Sequence, residues 1–131
     1  MGLNWVETKP AGETTKNWTK CLSNKDGTVL AALHAIPNTG LVPLYISADG
    51  GDTWYNRTPG IVDYIAMNDD GSIIFVACHS GESLEIYYTV DFGESWIQPL
   101  VSWGLLGEFF TDAEISGDGS KFFVGIGSTI R

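Results

Sequence analysis

The chain has 131 residues, 44% hydrophobic and 18% charged, enough apolar material for one core and too much for a disordered chain. Sixteen acids against seven bases leave a net charge of −9, which repels a phosphate backbone and argues against nucleic-acid binding. No stretch approaches the ~20 apolar residues of a membrane span, and Met1-Gly2-Leu3-Asn4-Trp5 has neither the basic nor the apolar region of a signal peptide, so neither feature is expected in this chain.

Taken in chain order, residues 1–9 predict a single strand that opens with the Gly2-Leu3-Asn4-Trp5 pattern, which recurs as Gly51-Asp52-Thr53-Trp54 and Gly93-Glu94-Ser95-Trp96. Residues 17–58 predict four strands, A to D. Strand A covers 18–22, Asn24-Lys25-Asp26-Gly27 is a tight turn, and strand B covers 28–34. Pro37-Asn38-Thr39-Gly40 is a loop, strand C covers 44–47, Asp49-Gly50-Gly51 is a turn, and strand D covers 53–56. Residues 62–101 repeat the plan with strands over 63–67, 72–78, 84–89 and 95–100. A third unit, 109–131, holds strands over 111–115 and 121–126 and the start of another at 128.

Two interleaved repeats support this division. Ser47-Ala48-Asp49-Gly50-Gly51-Asp52-Thr53-Trp54 returns as Thr89-Val90-Asp91-Phe92-Gly93-Glu94-Ser95-Trp96, 42 positions on. Asn24-Lys25-Asp26-Gly27-Thr28 returns 44 positions on as Asn68-Asp69-Asp70-Gly71-Ser72, and 48 further on as Ser116-Gly117-Asp118-Gly119-Ser120. The B strands are nearly continuous apolar runs, as expected of strands buried on both faces: Val29-Leu30-Ala31-Ala32-Leu33, Ile73-Ile74-Phe75-Val76-Ala77 and Phe122-Phe123-Val124-Gly125-Ile126. No helical periodicity appears, and the fold class predicted is all-β.

The longer repeat resembles the Asp-box, or BNR, motif S-x-D-x-G-x-[TS]-W. Ser47, Asp49, Gly51, Thr53 and Trp54 match every defined position. Thr89, Asp91, Gly93, Ser95 and Trp96 match all but the first, where Thr replaces Ser. The resemblance implies a β-propeller of four-stranded antiparallel blades, about three of them in this chain. It is closest in look to uncharacterised bacterial Asp-box propeller proteins, in a group that also holds sialidases and Vps10-type sorting receptors. The motif's mechanics are those of a scaffold. A glycine supplies φ > 0, an aspartate accepts backbone N–H groups across the turn, and a tryptophan covers it. A catalytic acid is needed once, whereas this aspartate recurs in each unit.

Sialidases of this group bind a substrate carboxylate with an arginine cluster. Here the only arginines are Arg57 and Arg131, so that activity is not expected. The acidic turns lack the D-x-[DN]-x-[DN]-G calcium pattern, Cys21 and Cys78 stand in no metal-ligand spacing, and nothing points to a cofactor. The two cysteines are expected to be buried free thiols. His34 and His79 fall at the ends of the B strands and are expected near a surface. Trp103 lies in a Gly-bounded linker outside both repeats, Phe109 and Phe110 continue the same unusual segment ahead of the strand expected at 111, and the three are the candidate ligand or partner contacts.

The expected function is a non-catalytic propeller module serving as a scaffold for protein interaction. The alternatives are a lectin-like glycan binder and a piece of a larger Asp-box glycosidase. Three blades are fewer than the about 4–8 of a closed ring, so the expected partner is a second copy, giving a six-bladed dimer, or the remainder of a larger propeller.

Overall fold

A computed structural model of the chain describes residues 6–13, 16–81, 83–99 and 108–128. Among these residues every regular element is a strand and no helix occurs, so none is long and apolar enough to cross a membrane. The strands are β1 (Asn17–Ser23), β2 (Leu30–Ala35), β3 (Leu44–Ser47), β4 (Tyr55–Asn56), β5 (Ile61–Met67), β6 (Ile74–Ser80), β7 (Ser83–Thr89), β8 (Glu108–Ile115) and β9 (Phe122–Ser128). They form three antiparallel sheets in chain order, β1-β2-β3-β4, β5-β6-β7 and β8-β9, with no closed barrel.

The sheets follow one plan. Leu30 pairs with Ser47 in the first sheet, and Ile74 with Thr89 in the second. A bulge falls at the same place in the leading strand of each sheet, at Thr19, Asp63 and Thr111. The trailing strand shrinks from sheet to sheet. It is two residues long in β4, where four were expected, and in the second sheet it is a single Tyr88–Ile97 bridge where 95–100 was expected. A strand bonded along one edge only, and exposed, has little to extend it. The expected strand over 1–9 and the one starting at 128 lie largely outside the described residues, and 6–9 form no ladder.

The core lies between the sheets, in two layers. Ala31, Leu33, Leu44 and Ile46 of the first sheet pack against Val62, Ile65, Ile74, Val76 and Cys78 of the second. On the other side of the second sheet, Phe75, Ala77, Leu84 and Ile86 meet Phe110 and Ala113 of the third. Successive β6 residues therefore point into alternate layers, and Ile74 to Cys78 are all fully buried. Phe75 closes the second layer by stacking on Phe122, with ring centroids 4.4 Å apart.

Candidate functional site

The two Ser/Thr-x-Asp hairpins are built alike, from the hydroxyl outward. Ser47 is fully buried, and its hydroxyl donates to Asp49 Oδ1 at 2.7 Å. Ser47 Oγ itself accepts from the backbone N–H of Gly51 at 2.9 Å and of Asp49 at 3.4 Å. Asp49 in turn accepts from the Thr53 backbone N–H on Oδ1 and the Thr53 hydroxyl on Oδ2. In the second hairpin Thr89 donates to Asp91 Oδ1 at 2.7 Å and accepts from Gly93 N–H at 2.8 Å. Ser95 gives Asp91 its backbone N–H at 2.9 Å and its hydroxyl at 2.6 Å. Threonine keeps the one group the position needs, a hydroxyl, which is why it replaces serine at 89.

These bonds all favour the ionised carboxylate. The Thr53 hydroxyl, then its N–H and the Ser47 hydroxyl, hold Asp49 down to about 2. The Ser95 hydroxyl leads the same effect on Asp91, also about 2. Both oxygens of each carboxylate are thus committed to their own turn, an arrangement suited to holding a hairpin rather than moving a proton.

The shorter turns carry a second network. Asn24 accepts from Val29 N–H at 3.0 Å and donates from Nδ2 to Thr28 Oγ1 and to the carbonyl of Asp70, both at 3.1 Å. Asn68 repeats the first two bonds with Ile73 and Ser72. Both asparagines are buried. Asp118 accepts from Ser120 N–H and from the Ser116 and Ser120 hydroxyls, and is held at about 2, the Ser120 N–H leading.

The sheets are joined by contacts that recur from one junction to the next. Lys25 N–H donates to the Asp69 carbonyl, and Asp69 N–H to the Gly117 carbonyl, each at 2.9 Å. Lys25, Asp69 and Gly117 occupy the same turn position in successive units. A Cβ at Gly71 would lie 2.6 Å from Val29, and one at Gly119 2.6 Å from Ile73. Val29 and Ile73 are again equivalent. At the longer hairpins, Trp54 Nε1 donates to Thr8 Oγ1 at 2.6 Å and to the Gly51 carbonyl at 3.0 Å. Trp96 Nε1 donates to the Arg57 carbonyl at 2.9 Å. Thr8 and Arg57 each stand three residues after a repeat tryptophan, Trp5 and Trp54. Sequence reasoning missed both partners, although that shared offset could have found them.

The remaining candidates divide. Trp103 lies outside the described residues. Phe109 and Phe110 are strand residues of β8, which begins at Glu108, three residues before the strand expected from 111. Phe110 is buried in the second core layer and is not offered to a ligand, whereas Phe109 is exposed. His34 is buried rather than near the surface, stacked on Tyr45 at 5.8 Å with Trp18 edge-on at 5.2 Å. Cys78 is buried and its thiol is pushed up to about 12, first by burial and then by the Asp63 and Glu85 carboxylates. Cys21 departs from expectation: it is exposed, since nothing covers its face of the first sheet.

His79 Nδ1 sits 2.8 Å from Asp63 Oδ2 beside a cleft of about 360 Å³ that Tyr64, Leu84, Glu108 and Phe109 also line. Among the described residues its ring hydrogen-bonds Asp63 alone, through both carboxylate oxygens. No group of three or more His, Cys, Asp or Glu among the described residues is arranged to hold a metal ion.

No family model matches the chain. A stretch of 54 residues, 41% of the chain, is 37% identical to the vacuolar protein sorting/targeting protein 10 of Schizosaccharomyces pombe. The chain spans only 4% of that protein's length.

Proposed function

We propose that the chain is a run of Asp-box β-propeller blades, and that it is a non-catalytic module whose role is to present surfaces for protein interaction. The observation that carries this reading is the repetition of the same two contacts at both junctions between sheets, a turn-to-turn backbone bond and a turn glycine against the preceding unit; at the first junction a tryptophan N–H of the second sheet's hairpin also reaches back to Arg57. Units joined by one repeated operation generate a regular array, as in propellers and other repeat proteins. The hairpin carboxylates support the non-catalytic part, because their lone pairs are engaged by the turns they hold.

A crystal structure tests the array. The proposal expects the sheets to fan about one common axis; sheets stacked without a common axis would sink it. A panel of aryl glycosides and a glycan array test the role, with neither hydrolysis nor glycan binding expected. Saturable binding to one glycan class would replace the protein-interaction reading with the lectin one.

A further inference from the structure

The two ends of the array are unlike its middle. In the second sheet β5 has no exposed position and β6 is mostly buried, because a neighbour covers each face. The equivalent leading strand of the first sheet, β1, is exposed at six of its seven positions. The equivalent central strand of the third sheet, β9, has no residue that is fully buried. On the first sheet the uncovered face is a shallow groove of about 840 Å³ that includes Trp18, Lys20, Cys21, Leu30 and Ala32. On the third sheet, Phe123 is 64% and Phe109 46% exposed.

The ends also differ in charge. Residues 6–28, before and within β1 and its first turn, hold Lys9, Lys16, Lys20 and Lys25 against Glu7, Glu13 and Asp26, a net charge of +1, with Lys9 paired to Glu13. Strand β8 and the turn after it carry Glu108, Asp112, Glu114 and Asp118. Within the chain, leading strand packs near leading strand, β5 against β8.

We propose that a second copy of this chain docks head-to-tail, its first sheet covering the outer face of the third sheet in the register already used twice inside the chain. The inference rests on the array reading and names the occupant of its open ends. The series of turn bonds, Lys25 to Asp69 to Gly117, then continues from Gly117 N–H to the Lys25 carbonyl of the second copy. The apolar surface around Phe123 and Phe109 meets the groove around Trp18 and Leu30. The acidic end of the array then meets the end that is close to neutral. Docking two third sheets together would instead oppose carboxylate to carboxylate, and juxtaposed like charges are what disfavours a wrong pairing.

Sedimentation velocity across a range of concentrations reads the assembly. Wild type is expected at twice the 14.2 kDa chain mass or more, with dissociation promoted by salt. The double variant C21D/S23D spoils the front face, since Cys21 and Ser23 pair with Ala32 and Leu30 of the groove, and F123D spoils the back face, all at exposed positions. Each alone should weaken self-association at least about tenfold, as loss of a central interface contact does. An equimolar mixture should recover a one-to-one complex, because each variant keeps the face that the other lacks. An unchanged unfolding midpoint in dilute solution shows that each variant is folded, and F109D stands in for F123D if it is not. A wild type that stays monomeric at its highest soluble concentration overturns the proposal. So does an F123D variant that assembles like wild type, which would signal front-to-front pairing. Either failure leaves the array reading standing, since the arrangement of sheets within one chain tests that separately.

Discussion

One buried hydroxyl organises each long hairpin. Ser47 uses its single proton on Asp49 and its oxygen on two backbone N–H groups, so no polar atom at the turn is left over. Ser47→Ala strands the Gly51 N–H in a buried setting and should cost about 1–3 kcal/mol. Ser47→Thr reproduces the Thr89 arrangement and should be nearly neutral. Urea unfolding of the two variants separates hydroxyl from size, and equal losses would contradict this account. The carboxylates respond to pH. Asp49 and Asp91 sit at about 2 in the fold against an ordinary 3.8. Their folded values are lowered, so their contribution is fully present above about pH 4 and is lost as pH falls through about 2. Urea midpoints should therefore decline between pH 4 and 2. Asp49→Asn with Asp91→Asn should flatten that decline and leave a lower midpoint at neutral pH. A double variant with the wild-type slope would mean that other groups govern acid unfolding.

At the scale of the element, equivalent turns differ only in what lies behind them. Gly27 and Gly71 hold the same position with nearly the same φ, +78° and +76°. A Cβ at Gly27 meets nothing within 4 Å, whereas one at Gly71 strikes Val29. Alanine at either site forces a left-handed residue, at about 1–2 kcal/mol. Only Gly71→Ala adds an overlap with its neighbour, so it should lower stability more than Gly27→Ala in chemical denaturation of dilute protein. Equal losses would mean that the junction between the first two sheets relaxes freely. The turns themselves were legible in the sequence because Asp-Gly pairs recur at a fixed spacing between apolar runs. The inner strands were legible because burial on both faces leaves continuous apolar segments such as 73–77. The trailing strands were not, since a short exposed strand at a sheet edge leaves no period to read. Nor were the junctions: a backbone bond such as Lys25 to Asp69 imposes no residue type. Phe110 was misread as a contact residue because the Gly-bounded run before it hid where β8 begins, and a strand that starts early turns a supposed contact residue into core.

For the whole molecule, burial rises from the ends toward the middle. Phe75 is fully buried between the second and third sheets, while Phe123, one unit on in the equivalent position, is largely exposed. Phe75→Ala should cost about 3–5 kcal/mol, and Phe123→Ala in dilute solution no more than about 0.5 kcal/mol. Opening energies should follow the same gradient, because each unit contacts only its neighbours and the end units have one neighbour each. Native-state hydrogen exchange on dilute protein should find the β6 amides slowest, with β1 and β9 exchanging through smaller openings. β6 is bonded on both edges, to β5 and β7, and β9 to β8 alone, so the comparison that reports the missing neighbour is between the β6 amides bonded to β5 and the β9 amides bonded to β8. If a second copy covers the ends, raising the protein concentration should slow β1 and β9 together and leave β6 nearly unchanged. Protection that rises at β1 alone would mean the first sheet pairs with itself. Uniform protection across all three sheets in dilute protein would mean the chain opens only as one unit, and the neighbour-by-neighbour account would fail.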